Sequence, residues 1–422
     1  MLPLSRRARS LLESPPLAKY ISTHFQRAAS DDPEAPLAER YVPLCIAENK
    51  RQGEVLAERL ARIEPAPPSV LGYDAMIGNL ELRQRIAALM TREIVGRPVD
   101  PDELIALCGA GTILEQLFFA LADAGDGVLV PTPSYAGFWA DLETRDGLHV
   151  IPVPAEIVED PEGRRPRFEL RVEHLEAARA AAPCPVKALL LTSPDNPRGA
   201  VLDAERLDAI LRWAEGHELH VVLDEIYALS VFGAVDFVSA TTLREELGDR
   251  VHWVWGFSKD FGASGLRCGV LWSENPAVRM AVGELAYWGA CSGHTQYLLR
   301  EVLADEAWVE DHLAATRADL ADIYGQVCTR LDAAEIPYVE AQAAFFMLLD
   351  LRGWLESPTW EAEGALWQRL LDEQSVNLTP GEACRISEPG FFRLCYAAES
   401  TELVLEGVRR VTELLTQLRP RG

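Results

Sequence analysis

The sequence predicts an α/β fold with a mostly parallel central sheet flanked by helices, and a smaller α+β domain formed by the N-terminal arm and the C-terminal part. Two observations carry this. Apolar strand candidates at 126–130, 148–153, 187–192, 219–224, 251–257 and 268–272 alternate with helical or loop segments, the pattern of a sheet buried between helices. The candidate chemical residues fall at strand ends and in the turns that follow, where ligands bind in open α/β sheets. The expected division is an arm over 1–45, a large domain over 46–285 and a small domain over 286–422.

Taken in order, the first forty or so residues are rich in Arg, Ser, Pro and Asp. They read as an arm packing on the small domain or on a partner subunit. In C-G-A-G-T-I-L-E-Q-L-F-F-A-L-A, residues Ile113, Leu114, Leu117, Phe118 and Leu121 share one helical face. Ala110, Gly111 and Thr112 then open that helix, where backbone N–H groups and the dipole favour a phosphate. Tyr135 follows the short strand G-V-L-V-P, placed to cover a flat ring; a core tyrosine is the alternative. The apolar stretch from Val186 runs into Leu191-Thr-Ser-Pro-Asp-Asn-Pro-Arg-Gly199, a strand ending in a Pro/Gly turn. V-V-L-D-E-I-Y places Asp224 at the end of a buried strand, where an unpaired charge is costly. A strand-end cap or salt bridge is the plainer role for it.

The run W-V-W-G-F-S-K-D-F-G-A-S-G-L-R-C-G carries Lys259 after an apolar strand, with Arg267 eight residues on. An amine beside a fixed guanidinium suits a cofactor bearing both an aldehyde and a phosphate, which points to pyridoxal 5′-phosphate. A structural lysine is the competing reading. From about Ala277 a long helical region leads to a strand at A-A-F-F-M-L-L-D-L and a closing amphipathic helix at T-E-L-V-L-E-G-V-R-R-V-T-E-L-L. Between them lies Arg393, in the apolar run E-P-G-F-F-R-L-C-Y-A. A guanidinium there is expected to face a specific anion, and its planar fork matches a carboxylate; a salt bridge is the rival.

Composition sets outer bounds. A chain of 422 residues, 48% hydrophobic and 25% charged, is long enough for two cores. The net charge of −25 argues against nucleic acid and against anionic membrane surfaces as partners. No signal-peptide run and no stretch of membrane-spanning length is present. The eight cysteines form no C-x-x-C pair and the eight histidines no metal-binding spacing. Reduced thiols, a cytoplasmic location and no metal are therefore expected.

Together these motifs, from about Tyr41 to about Ala398, resemble fold-type I pyridoxal-phosphate enzymes of the class I/II aminotransferase group. Within it the chain is most similar to 1-aminocyclopropane-1-carboxylate synthases and their bacterial relatives. The resemblance implies that Lys259 is the Schiff-base lysine and Asp224 the partner of the ring nitrogen. Tyr227 and Asn196 would bond the ring hydroxyl, Tyr135 would stack on the ring, Arg267 would bind phosphate, and Arg393 would bind the substrate α-carboxylate. It implies a homodimer with shared active sites, to which Tyr73 in L-G-Y-D-A-M-I-G reaches from the neighbouring subunit; a tyrosine in a surface turn is the alternative. One departure is Gly256, where the family usually has a phosphate-binding serine. Ser258, beside the lysine, points differently if the strand alternates, so phosphate binding would rest more on Arg267, Thr112 and the helix N-terminus. Loss of one charge-assisted hydrogen bond costs roughly 1.5–3 kcal/mol.

For the substrate, Glu48 in C-I-A-E-N-K matches the A-E-N segment of the cyclopropane-forming synthases, and a carboxylate beside a sulfonium is physically reasonable. The resemblance implies S-adenosylmethionine, processed through an external aldimine and a Cα quinonoid. Methylthioadenosine would leave from Cγ, followed by ring closure or by γ-substitution or annulation with a second substrate. Departures favouring the second route are D-N-P-R-G, which brings Arg198 near the site for an anionic co-substrate, and Trp139-Ala140 in place of the family's acid–base pair. A solvated loop arginine and a plain surface Glu48 are the alternatives. An ordinary aminotransferase would use the same ring-binding residues. A non-catalytic effector-binding domain would need a DNA-binding arm, for which the first forty residues are too short.

Overall fold

The computed structural model describes every residue except 1–3, 14, 17, 236 and 419–422. Its central sheet contains seven strands: β1 (Leu104–Leu107), β2 (Gly127–Thr132), β3 (His149–Pro154), β4 (Val186–Thr192), β5 (His220–Asp224), β6 (Val251–Gly256) and β7 (Gly269–Ser273). Their order is β1-β7-β6-β5-β4-β2-β3. β7 runs antiparallel to both its neighbours, and the β6-β5-β4-β2-β3 pairs are parallel. Alternation along each strand feeds two cores. Leu189, Leu191, Val221, Leu223, Trp253 and Trp255 face one way; Val128, Ala188, Leu190, Val222, Val254 and Leu271 face the other. Both faces are covered, so these strands read as continuous apolar runs rather than alternating ones.

Each of the six central strands expected from the sequence is present to within a residue or two, and the strand expected at 343–351 spans Phe346–Asp350. β1 was absent from that reading, because D-E-L-I-A-L-C-G is short and leads directly into the glycine turn. The expected strand 251–257 ends one residue early: β6 stops at Gly256, and Phe257–Asp260 form a single helical turn. Ser258 therefore follows helical rather than strand geometry.

A second sheet contains β8 (Tyr338–Val339), β9 (Phe346–Asp350), β10 (Thr379–Pro380) and β11 (Phe391–Cys395), in the order β8-β9-β11-β10. Its core joins Met347, Leu349, Phe392 and Leu394 to Val404, Val408 and Val411 of the closing helix Thr401–Leu418, and to Tyr20, Tyr41 and Val42 of the N-terminal segment. Val42–Pro43 adds a parallel pairing with Val376–Asn377. The Asn377 amide donates to the Tyr20 carbonyl at 3.0 Å and to the Tyr41 hydroxyl at 2.9 Å. The arm thus packs against the C-terminal α+β layer, one of its two expected locations.

Arg410 fastens this layer. Only 4% exposed, its guanidinium pairs with Glu406 at 2.7 Å and donates to the carbonyls of Leu37, Arg40 and Gln374 at 2.6, 2.8 and 3.0 Å. Arg409 and Arg410 hold the Glu406 carboxyl down to about 2. Removing Arg410 leaves three carbonyls short of a donor and a carboxylate short of a cation. Arg410→Ala is expected to lower stability by about 2–4 kcal/mol in urea unfolding. The Glu406 contribution is present above the ordinary carboxylate range and is lost as pH falls towards about 2, so the wild-type advantage should shrink in acid.

Candidate active site

Five strand ends converge on one cleft. β1 leads to the helix Ala110–Leu121, β2 to Tyr135, β4 to Asn196, β5 ends at Asp224, and β6 leads to Lys259. β7 runs the opposite way, so Arg267, just before its start, reaches the same edge.

Lys259 is half-buried, and its ammonium donates to the Ala47 carbonyl at 2.7 Å. Burial, aided by the nearby Arg393 charge, pushes its amine down to about 8. Next to it, Asp260 is 1% exposed and accepts from Ser230 Oγ at 2.5 Å, Trp255 Nε1 at 2.8 Å and the Leu229 N–H at 3.0 Å. The bonds from Ser230 and Leu229 fix the helical turn carrying the lysine against the segment after β5, and the Trp255 bond ties it to β6. Among the described residues the Asp224 carboxylate accepts only from the Ile226 N–H, at 3.2 Å. Burial pushes its carboxyl up to about 7, with Lys259 opposing. An unmatched buried carboxyl of this kind suits a cationic ring nitrogen.

Arg393 is 2% exposed. It donates to Asn196 Oδ1 at 2.9 Å, the Cys45 carbonyl at 2.6 Å and Thr379 Oγ1 at 3.0 Å. Its Nε has no partner, and no carboxylate pairs with it among the described residues. A buried guanidinium solvated only by neutral oxygens is built for an arriving anion. Asn196 also donates to the Tyr227 hydroxyl at 3.4 Å, so one amide links the arginine to the tyrosine. Tyr227 is buried edge-on against Phe345 and Phe346, and burial raises its hydroxyl above the usual tyrosine range. Tyr135 is 41% exposed, leaving its ring free to cover a ligand.

At the opening of the Ala110–Leu121 helix, Gly109 has φ 103° and no side-chain cap. A Cβ there would lie 2.4 Å from Arg267 Nη2, so only glycine lets the guanidinium lie against the helix N-terminus. Arg267 itself adopts left-handed backbone at φ 51°, a conformation costing on the order of 1–3 kcal/mol at a non-glycine residue. Thr112 Oγ1 shares a 3.3 Å contact with Cys108 Sγ. At Gly256 a Cβ would sit 3.0 Å from the Cys268 carbonyl oxygen and 3.3 Å from the Gly269 Cα. The close approach of β7 accounts for glycine in place of the family's serine. The Ser258 hydroxyl makes no hydrogen bond among the described residues. An uncapped helix N-terminus beside an arginine, a depressed lysine and an unmatched carboxyl fit pyridoxal phosphate at its phosphate, aldehyde and ring nitrogen.

Two outlying residues differ from each other. Glu48 lies beside the lysine's carbonyl partner, accepts a hydrogen bond from Ser264 Oγ and stands 3.7 Å from Lys50 Nζ. Arg198 corrects the sequence reading: it is paired with the buried Asp195 and donates to the Phe168 carbonyl at 2.9 Å. Its charge is already matched inside the loop, so it is neither a solvated residue nor a cation free for a co-substrate. Tyr73 is 98% exposed and makes no contribution to the site of its own chain. Sequence reasoning missed Thr379 and Cys45, whose roles lie in backbone and hydroxyl oxygens, and Asp260, whose position beside the lysine in an apolar run was the available signal.

Residues 40–411 match the family described as aminotransferase class I and II. The chain is 35% identical over 351 residues to 1-aminocyclopropane-1-carboxylate synthase 6 of Arabidopsis thaliana, covering 81% of this chain and 70% of that protein. It is 35% identical over 384 residues to the human 1-aminocyclopropane-1-carboxylate synthase-like protein 1, covering 89% and 76%. Among solved structures, the aspartate aminotransferase from Thermus thermophilus with maleate superposes with a TM-score of 0.77 at 25% identity, covering 98% of this chain and 100% of that one. The aromatic aminotransferase from Pyrococcus horikoshii gives 0.75 at 25%, covering 89% and 96%. Site geometry, family match and fold agree: the chain belongs to the class I and II aminotransferase family of pyridoxal-phosphate enzymes, close to the 1-aminocyclopropane-1-carboxylate synthases.

Proposed function

We propose that this enzyme acts on S-adenosylmethionine: either the electron pair at Cα displaces methylthioadenosine from Cγ and closes the ring in one step, or a Cβ proton is lost as the thioether leaves and a second substrate then adds at Cγ. The observation that carries this reading is Glu48. It stands in the A-E-N segment that resembles the cyclopropane-forming synthases, and Lys259 is hydrogen-bonded to the residue immediately before it. A sulfonium about 4 Å from that carboxylate would gain about 4 kcal/mol at an effective dielectric of 20.

The residues divide the work. Pyridoxal phosphate, when bound, supplies the electron sink that stabilises negative charge at the substrate Cα. Ala110, Gly111, Thr112 and Arg267 would hold its phosphate, with Ser258 beside them. Asp224 would hold the ring nitrogen, Tyr227 and Asn196 the ring hydroxyl, and Tyr135 the open face. Arg393 receives the substrate carboxylate in a bidentate grip and so aims the Cα–H bond. The Lys259 amine takes the Cα proton; its depressed pKa makes it a competent base near neutral pH. Glu48 holds the sulfonium so that the bond to Cγ is the one that breaks. A homodimer completes the site through Tyr73, and Leu71, Met280, Tyr287 and Trp288 share its strong exposure.

Mixing the protein with S-adenosylmethionine alone tests the reading. Methylthioadenosine with aminocyclopropane carboxylate is the outcome for a cyclopropane synthase, and a visible-spectrum change with little turnover that for an enzyme requiring a second substrate. No spectral change, together with transamination in an amino-acid panel, would replace the proposal with an aminotransferase. Lys259→Ala is expected to abolish both turnover and the visible absorbance of the lysine-bound cofactor; surviving turnover would remove the lysine from its role. Arg393→Ala should raise the apparent KM at least a hundredfold, about 3 kcal/mol of binding. An unchanged KM would exclude it as the carboxylate site.

Cofactor uptake by the apoenzyme gives a further check. A pKa of about 8 leaves roughly one lysine in ten neutral at pH 7, against fewer than about one in a thousand for an ordinary lysine. Only the neutral amine attacks an aldehyde. The uptake rate, followed by absorbance, should therefore climb with pH and level off above about 8. A rate still rising tenfold per unit at pH 9 would contradict the depressed pKa.

A further inference from the structure

Three thiols lie together behind the proposed phosphate site. β7 pairs with β1 through Gly269 and Leu107, and Cys268 and Cys108 stand just beyond that pair. The segment at 289–291 meets the same strand end: Leu107 bridges Ala290, and the Cys108 N–H donates to the Gly289 carbonyl at 2.7 Å. This brings Cys291 up to Cys268, and the two thiols stand in hydrogen-bonding contact with Cys108 close by.

The cluster touches the groups placed at the phosphate. Cys291 Sγ donates to the Arg267 carbonyl at 3.5 Å, and Cys108 Sγ lies 3.3 Å from Thr112 Oγ1. A Cβ on Gly289 would fall 2.6 Å from Thr112 Cγ2, so the segment leading to Cys291 packs directly on that threonine. Cys268 follows Arg267, and its carbonyl is held by the Phe257 N–H at 3.1 Å. The reaction proposed above uses none of these sulfurs.

We infer that Cys268 and Cys291 are an oxidation site: a peroxide converts them to a disulfide, and the disulfide weakens the hold on the cofactor phosphate. Cys291, 6% exposed against 0% for Cys268, is the sulfur a peroxide meets first. As the O–O bond of hydrogen peroxide breaks, this sulfur takes one oxygen as a sulfenic acid and the other oxygen leaves as water. The hydrogen bond with Cys291, together with burial, holds the Cys268 thiol well above its usual pKa, so Cys268 brings its proton to the next step. Its sulfur displaces the oxygen: the S–S bond forms, the S–O bond breaks, and the proton leaves in a second water. The two thiols lose two electrons, and one hydrogen peroxide is reduced to two waters.

The disulfide has no proton for the Arg267 carbonyl. It also pulls the 289–291 segment, and with it the packing on Thr112, towards a Cys268 that the Phe257 N–H keeps in place. This rests on the placement of the cofactor phosphate at Arg267 and Thr112. Linkage makes the effect reciprocal: a cofactor held less tightly by the disulfide form itself favours the dithiol.

The cofactor-loaded protein is treated with hydrogen peroxide, its cysteines are mapped by peptide mass spectrometry, and cofactor binding is followed by visible absorbance. The expected result is a Cys268–Cys291 cross-link, reversed by dithiothreitol, with a dissociation constant for pyridoxal phosphate at least tenfold higher in the oxidised form. In dithiothreitol redox buffers, a tenfold difference appears as a midpoint potential about 30 mV higher for the loaded protein. Cys291→Ser keeps a donor for the Arg267 carbonyl and should retain its cofactor through the same treatment. No cross-link between these two cysteines in wild type overturns the inference, and so does a cross-link that leaves both constants unchanged. Equal cofactor loss in peroxide-treated Cys291→Ser does the same, and the wild-type map and potential decide the matter if that variant fails to fold. Arg267→Ala separates the two readings. Undiminished cofactor binding in that variant removes the phosphate placement, whatever the cross-link does. Weakened binding there, with oxidation of wild type having no effect, keeps the placement and removes the oxidation site.

Discussion

A guanidinium buried without a counter-ion governs the layout of this molecule. Taking an arginine out of water costs several kcal/mol after relaxation, and Arg393 recovers part of that from three neutral oxygens. Those oxygens come from far apart in the chain: Cys45 after the arm, Asn196 after β4, and Thr379 on β10 beside Arg393's own strand β11. The Asn196 contact therefore joins the two sheets, and the Cys45 contact joins the N-terminal segment to the second sheet. The arrangement solvates the charge without cancelling it, and a buried carboxylate partner would cancel it. The residual field also reaches the other titrating groups, helping to depress Lys259 and opposing the rise of Tyr20, Cys45 and Cys384.

A second constraint acts on the lysine itself. An amine must be held close to where it reacts and yet remain free to move a proton. The chain achieves this by anchoring the neighbour: Asp260 ties the turn to Trp255 on β6 and to Leu229 and Ser230 beyond Asp224 and Tyr227. Lys259, Asp224 and Tyr227 are thereby set in one frame, while the lysine's own bond is a single one to a carbonyl. Glu225 does similar work one layer away, accepting from Ser239, Ala240 and Trp253. Positioning groups held within a fraction of an ångström in this way is what general-base chemistry requires.

Much of this was legible in the sequence because strand ends write their chemistry locally. Asp224 sits in an apolar run that announces a buried carboxyl, Lys259 and Arg267 flank a glycine-rich turn, and the parallel strands betray themselves by continuous apolarity. What stayed hidden depends on pairing between distant segments. That Arg198 is matched by Asp195 three residues back could be guessed from spacing, but that Asp195 is buried could not. The reason for Gly256 lies in β7, whose Cys268 carbonyl leaves too little room for a side chain. The strand β1 escaped notice because four residues are too few to show a period.

These two departures bear differently on specificity. Gly256 removes a hydroxyl from the phosphate side, and the strained Arg267 against Gly109 is the compensation the fold offers there. Arg198 had looked like a new cation for an anionic partner, yet its charge is consumed within the loop, so the remodelling must lie elsewhere. Trp139 stands where the related synthases carry an acid, with the Arg385 guanidinium 5.0 Å from its ring centroid. Changing the substrate of a shared catalytic frame calls for altering the wall that meets the part of the substrate remote from the reacting bond. In this chain the surface between the arm, Trp139 and the loop pinned by Glu363 borders the cleft at Tyr135 and Thr379.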